Sequence, residues 1–352
     1  MEPKISVIMS VFDGSRHLGE CTSSILSQTF DDFEFLIVDD ASADSTHEIL
    51  KELERSDKRV RIFRNETNLG LTRSLNKLID NSQGQFIARI DADDTSQKER
   101  LQRQLDKMES DSLDFVAGCC RIVDEEGLEL YSMCPGGCDL QDLNWSLIFR
   151  NNIRHSTVMW RNKQKFKYDE SFKYAQDYEM WCRMARQGFS FGVVCEFISD
   201  IRTRTNSLSA NFGAAQDDMA CEVTRCQIEY YLGRNTTSEE ARNLRLVYLQ
   251  KDGRQFEAFF KMGIQELKQA VRLYLDVAHA FFEKELPEKN YMASKVSSDL
   301  NSILQEPHKN KMMIEIFEWF RQKKNDDFVA LVNENFLKIK EEEWQKREPK
   351  FL

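Results

Sequence analysis

An α/β domain on a mostly parallel sheet, residues 1–212, followed by an all-α module, residues 213–352, is the architecture this sequence predicts. Two patterns predict it. Over the first 120 residues, short apolar runs alternate with helical stretches, as in strand–helix repeats around a parallel sheet. Beyond Phe212 apolar residues recur every three or four positions, and no proline falls between Gly136 and Leu286.

Ile5–Val11 is a near-continuous apolar run, which suits a strand buried on both faces. A helical stretch follows from about Leu18 to Gln28. Phe33–Val38 reads as the second strand and ends in Asp39-Asp40. Ser42 and Asp44 then offer N-cap oxygens to a helix reaching about Leu53. Val60–Phe63 is the third strand, and a helix runs from Gly70 to about Ile79. Phe86–Ile90, the fourth strand, leads directly into Asp91-Ala92-Asp93-Asp94. In parallel sheets ligands sit beyond the carboxyl ends of the strands. Ser10 to Asp13, Asp39-Asp40 and Asp91 to Asp94 therefore share one rim. In the second half, Phe256, Phe260, Ile264, Leu267, Val271, Tyr274, Ala278 and Phe281 form one helical stripe.

The net charge is −10; residues 213–352 carry 24 acids against 22 bases, so −8 falls on residues 1–212. An acidic first half argues against a nucleic-acid partner, which needs a basic face to displace phosphate counterions. No apolar stretch approaches the ~20 residues of a membrane span, and Met1-Glu2-Pro3-Lys4 opens no signal peptide. Cys134/Cys138 and Cys221/Cys226 lack a matching pair at zinc spacing, so the nine cysteines are expected as free, reduced thiols. The expected location is cytoplasmic, or peripheral at the inner face of the membrane.

Asp91-Ala92-Asp93-Asp94 is the sharpest chemical feature. Carboxylates one residue apart can share a divalent cation, Mn²⁺ or Mg²⁺, which bridges phosphate oxygens. The same residues could simply cap the next helix; their place on an acidic rim favours the metal. A carboxylate at Asp39-Asp40 could accept the N3 proton of uracil or thymine, or serve only to turn the chain.

Six ordered blocks, Ile5–Asp13, Ser24–Phe30, Phe33–Ser42, Asn68–Leu71, Phe86–Asp94 and Gln176–Trp181, resemble the inverting glycosyltransferases of family 2. That resemblance covers roughly residues 4–210 and extends to bacterial enzymes of surface-polysaccharide synthesis. It implies the GT-A fold, a Rossmann-like and mostly parallel sheet. It also implies a UDP-sugar donor and a glycan, lipid-linked or protein-linked acceptor. Position by position, Ser10, Val11 and Phe12 would line the uridine, with Phe12 in place of the usual stacking tyrosine. Asp40 would pair with uracil, supported by Asp39, and Arg73 would lie near the base or phosphates. Asp91 and Asp93, flanking Ala92, would serve ribose and metal, with Asp94 a further metal ligand. Asp177 matches the catalytic base. An inverting transfer needs such a base opposite the leaving diphosphate, so base and metal must come from separate segments.

The sequence departs from the family pattern at several points. Ser10 replaces a proline, Asp13 an asparagine, and Gln176 the glutamate before the base. Arg202-Thr203-Arg204 stands where an Arg-x-His is common; Arg204 cannot ligate a cation but could neutralise diphosphate oxygens. His155 and Trp181 are candidate diphosphate or acceptor contacts, although His155 could equally be satisfied within a strand-end network. Trp160 and Trp181 could platform a sugar ring or lie in the core, and Phe149 and Asn151-Asn152 would lie on the acceptor side. Two other readings compete: a catalytically silent nucleotide-sugar-binding subunit, and a sugar nucleotidyltransferase. The latter wants a glycine-rich loop, and Ser10–His17 holds only Gly14. The helical module is expected to pack on the first domain or to self-associate into a homo-oligomer.

Overall fold

The computed structural model describes residues 2–163, 165–203, 213–249, 261–285, 288–303, 318–319, 322–323 and 326–347. Strands β1 (Ile5–Val11), β2 (Phe33–Asp39), β3 (Val60–Arg64) and β4 (Phe86–Arg89) run parallel in the order β3-β2-β1-β4. β2 is buried throughout and β1 everywhere but Ser10, as continuous apolar strands covered on both faces must be. The sheet continues past β4 through β8 (Met159–Arg161), β6 (Phe115–Val123), β9 (Phe191–Arg202) and β5 (Thr95–Ser96), while β7 (Glu129–Met133) folds back on β6. β8 is antiparallel to both β4 and β6, whereas β6 and β9 are parallel. The mostly parallel α/β sheet is thus the observed architecture.

Helices α1 (Ser15–Leu26), α2 (Thr46–Ser56), α3 (Leu71–Asn81), α4 (Arg100–Ser110), α5 (Leu140–Ser146) and α6 (Gln176–Arg186) connect these strands. Leu18, Cys21 and Ile25 of α1, Leu50 of α2 and Leu101, Leu105 and Met108 of α4 bury into one core with β1, β2 and β4. The expected capping of α2 differs in detail. Ser45 occupies the cap position without a side-chain bond. The Ser42 hydroxyl instead accepts from the Asp13 amide at 3.0 Å, and Asp44 accepts from both Ser15 (3.1 Å) and Thr46 (3.0 Å) amides. Unpaired amides of the neighbouring β1–α1 loop take the oxygens first.

The expectation of nine free thiols is overturned, because Cys119 and Cys134 form a disulfide. Register explains it. β6 and β7 pair antiparallel with Cys120 opposite Met133, so the next residues, Cys119 and Cys134, meet across the ladder with Cα atoms 4.2 Å apart.

The chain divides into two compact units, residues 1–147 with 151–220, and residues 148–150 with 221–352. α7 (Gly213–Leu232), α8 (Ser238–Leu249), α9 (Ile264–Glu285), α10 (Lys289–Ile303) and α11 (Asp327–Arg347) make up the helical part. In α9, Leu267, Val271, Tyr274, Ala278 and Phe281 are buried along one stripe, with Ile264 half-buried at its start; Phe256 and Phe260 lie outside the described residues. Within the helical unit Tyr274 donates to Asp299 at 2.8 Å, and Phe149 stacks on Tyr248 with centroids 4.1 Å apart. Among the described residues no helix is long and apolar enough to cross a membrane.

Candidate active site

The rim forms at the carboxyl ends of β1, β2 and β4. At the end of β1 the chain turns sharply, with Asp13 in the left-handed region at φ 47°. Its carboxylate accepts from the Ala43 amide at 2.8 Å, and the Gly14 amide donates to Thr46 at 3.0 Å. Two loops are thereby tied together across the rim. Phe12 is left 52% exposed, free of the core, while Ser10 is half-buried. Val11 departs from its expected role: its side chain is in the core and its carbonyl accepts from the Asp40 amide at 2.8 Å.

Asp39 and Asp40 are both buried. Asp39 accepts from the Ser42 amide at 2.9 Å and lies within 3.1 Å of His47 and 3.3 Å of Arg64. Asp40 accepts from the Asn65 amide group (2.7 Å) and from the backbone amides of Leu69 and Gly70, both at 2.9 Å. It therefore shapes the turn into α3, where Gly70 takes φ 83°. Arg73, in the first turn of α3, is exposed and pairs with Glu170 at 3.0 Å.

Beyond β4 the organising residue is Arg89, a guanidinium only 1% exposed. It grips both oxygens of Asp91. Ser156 completes the grip, accepting from the Asp91 amide at 2.9 Å and donating to its carboxylate at 3.2 Å. Burial opposes the charge on Arg89, but Asp91 outweighs it and holds the pKa above the ordinary guanidinium value. Beneath it Arg100, also buried, donates to the Arg89 carbonyl at 2.7 Å; burial and then Arg89 lower its pKa to about 9.

Asp94 is buried, and burial, then Asp91 and Asp93, raise its pKa well above the carboxylate range. It accepts from the Arg202 amide at 2.8 Å. Arg202 also donates to the Asp93 carbonyl (3.2 Å) and to Glu20 (2.9 Å), clamping the turn from outside. Ala92 packs against the core, and Asp93 is half-buried. Asp91, Asp93 and Asp94, expected to hold a metal, do not converge on one point. Among the described residues the clusters close enough for three-point coordination are Cys119/Cys134/Cys138 and His279/Glu283/Asp326, not Asp91/Asp93/Asp94. Arg89 holds Asp91 to itself. Mg²⁺ in nucleotide sites is often held by one or two carboxylates plus substrate phosphates, and Asp93 with its neighbours still fits that donor set.

Asp177 lies in the first turn of α6, after Ala175 in the left-handed region at φ 54°. Asn151 donates to one of its oxygens and the Tyr178 amide to the other, each at 2.8 Å. Burial raises its pKa, while these bonds and Arg89 pull the other way without cancelling the rise. Asp177 is still partly open to solvent. Arg89 thus acts on Asp91, Asp94 and Asp177 alike, so the candidate base and the acidic turn share one electrostatic centre. Glu179 points elsewhere, bonded to Arg183 at 2.9 Å.

His155 lies 2.7 Å from the Tyr168 hydroxyl, and burial, then Arg89, hold its pKa far below the usual imidazole value. It serves here as the hydrogen-bonding partner of Tyr168. Trp181 and Trp160 are fully buried among Phe115 and each other, and Phe149 is likewise buried, so none offers a face to a sugar. Arg204 lies outside the described residues. Sequence reasoning assigned no role to Arg89, Ser156 or Arg202. A usable signal existed for Arg89, since an arginine inside an apolar strand must find a counter-charge and Asp91 follows at i+2.

The glycosyl transferase family 2 profile matches residues 6–166. The chain is 33% identical over 215 residues to an uncharacterised glycosyltransferase of Methanocaldococcus jannaschii, MJ1057, covering 59% of this chain and 74% of that one. The chain belongs to glycosyltransferase family 2. This transferase is also 27% identical over 209 residues to WfgD of Escherichia coli, described as a UDP-Glc:alpha-D-GlcNAc-diphosphoundecaprenol beta-1,3-glucosyltransferase, covering 59% and 80% of the two chains. Its fold is similar to that of S. aureus TarS residues 1–349, crystallised with UDP-GlcNAc, at a TM-score of 0.59 and 17% identity over 94% of this chain and 90% of that one. The GT-A architecture of the transferase rests on that similarity and on its own sheet order.

Proposed function

We propose that this enzyme transfers a sugar, with inversion, from a UDP-sugar to a hydroxyl of a glycan or lipid-linked acceptor in surface-polysaccharide or glycoconjugate synthesis. The observation that carries the reading is Asp177: a partly open carboxylate, oriented by Asn151 and Tyr178, with its pKa raised toward that of a working base. Asp177 would take the proton of the acceptor hydroxyl as its oxygen attacks the anomeric carbon. Phe12 would stack on the uracil. Asp40 retains one acceptor direction for the uracil N3–H, since a carboxylate offers about four lone-pair sites and three donors occupy it here. Mn²⁺ or Mg²⁺ bound at Asp93 with diphosphate oxygens would supply positive charge to the leaving group. Arg89 would keep Asp91 ionised and fixed beside it. The names of WfgD, with its UDP-Glc donor and lipid diphosphate acceptor, and of the TarS complex support the donor and acceptor classes.

The test is UDP release from a panel of UDP- and GDP-sugars, with and without Mn²⁺, followed by assignment of product anomeric configuration by NMR. Metal-dependent turnover of a UDP-sugar with inverted product is expected. A preference for GDP-sugars would overturn the uridine assignment. UDP binding without any turnover or slow hydrolysis would return the chain to the silent-subunit reading.

A further inference from the structure

Away from the acidic rim, the same unit gathers four cysteines from three segments. Cys119 lies in β6, Cys134 and Cys138 bracket the turn after β7, and Cys195 lies in β9. The sulfurs of Cys119, Cys134 and Cys138 are all within 4.8 Å of one another, and Cys138 is 3.5 Å from Cys119. Cys195 lies in the stretch of β9 that falls between the partners of Gly118 and Cys119.

Two local distortions bring these sulfurs together. Cys134-Pro135-Gly136-Gly137-Cys138 is a C-x₃-C turn in which Gly136 and Gly137 take φ 56° and 60°. A Cβ on Gly136 would stand 2.6 Å from the Leu143 amide nitrogen, so the tight curl depends on glycine there. The second distortion is in the β6–β9 ladder. Gly118 pairs with Val194 but Cys119 pairs with Phe197, so Cys195 and Glu196 bulge out of register beside Cys119. Neither feature is needed to close a single disulfide between Cys119 and Cys134. The glycine turn brings a third sulfur to the pair, and the bulge sets Cys195 next to Cys119 in the ladder.

We propose that Cys119, Cys134, Cys138 and Cys195 form a thiolate zinc site in the reduced protein, which the Cys119–Cys134 disulfide replaces on oxidation. Zinc–sulfur bonds of about 2.3 Å in a tetrahedron put sulfurs roughly 3.8 Å apart, close to the 3.5 Å between Cys119 and Cys138. A C-x₂₋₄-C turn supplying two ligands is the usual way to begin such a site, and soft thiolates select zinc over the hard cations that suit the aspartates. Loading replaces four thiol protons with one Zn²⁺. Oxidation by a small-molecule disulfide then moves two electrons from the Cys119 and Cys134 thiolates to the oxidant. The S–S bond forms between them, the oxidant leaves as two thiolates, Zn²⁺ departs, and Cys138 and Cys195 take up protons. A zinc here would pin the turn that leads into α5 to the β6–β9 strands.

The full chain, reduced with a phosphine under argon and dialysed against Co²⁺ or Zn²⁺, tests the site without any activity readout. One equivalent of Co²⁺ with the intense visible bands and thiolate charge-transfer absorption of a tetrahedral sulfur site is expected. Oxidised glutathione should release the metal and remove two titratable thiols. Cys195→Ser, at an exposed position, should keep the fold by circular dichroism yet weaken metal retention at least tenfold, and Cys138→Ser should do the same. A reduced, folded chain that retains no metal would overturn the proposal. So would metal retention that both serine variants leave unchanged.

Discussion

Asn151 donates to Asp177 at 2.8 Å and orients that carboxylate from its side. The bond favours the ionised form, against the burial that disfavours it. Asn151→Ala should therefore raise the Asp177 pKa further and move the acid limb of the pH–rate profile to higher pH. Turnover at high pH should fall less than turnover at neutral pH. An unmoved acid limb would mean that Asp177 is not the titrating base.

Asp177→Asn removes the basic charge and keeps the shape. Turnover should drop by roughly 10²–10⁴, the usual worth of a general base, with UDP affinity little changed. Stability should move the opposite way. A carboxyl whose folded pKa is raised contributes stability at low pH and loses it as pH rises through that pKa. The variant should accordingly melt higher than the parent at neutral pH, with the gap closing in acid. Thermal unfolding at two pH values checks this.

Phe12 is half exposed at the end of β1 and packs little in the absence of ligand. Phe12→Ala should weaken UDP binding by about 1–3 kcal/mol, the range for base–aromatic stacking, while leaving the melting temperature unchanged. Isothermal calorimetry with UDP, beside a melting curve, separates the two effects.

Arg89→Met strips the counter-charge from a buried cluster. Breaking a fully buried pair from one side costs about 3–5 kcal/mol; Asp91 is partly exposed, so urea unfolding should shift by less than that. Adding Asp91→Asn should recover part of the loss, because the neutral partner no longer needs the guanidinium. A purely additive double variant would show that Arg89 and Asp91 are not energetically coupled.

The parallel half of the sheet was legible because β1 and β2 are unbroken apolar runs, each ending at a polar rim. Position in the chain alone put Phe12, Asp40, Asp91 and Asp94 near one another. β8, three residues long, gives no periodic pattern to read, and it joins β4 to β6 in a sense opposite to both. The Cys119–Cys134 pairing depends on hairpin register, which one-residue slips would abolish. Trp181 follows Asp177 by four residues in the same helix and could have been either a sugar platform or a core residue. Its helix turns that ring inward against Phe115 and Trp160. The diversion of Asp91 onto Arg89 followed from a charge in an apolar strand, a clue carried by composition rather than by motif.

The bonds that cross between the β1–α1 and β2–α2 loops bear on how a nucleotide arrives. Asp13, Gly14 and Ser15 present their amides to Ser42, Thr46 and Asp44, and Asp13 returns the favour to Ala43. These bonds tie the two loops to each other without a ligand, so little ordering entropy should be charged against binding. The three amides should exchange slowly with deuterated solvent in the nucleotide-free protein, and uridine should dock against a surface that keeps the same shape empty or filled.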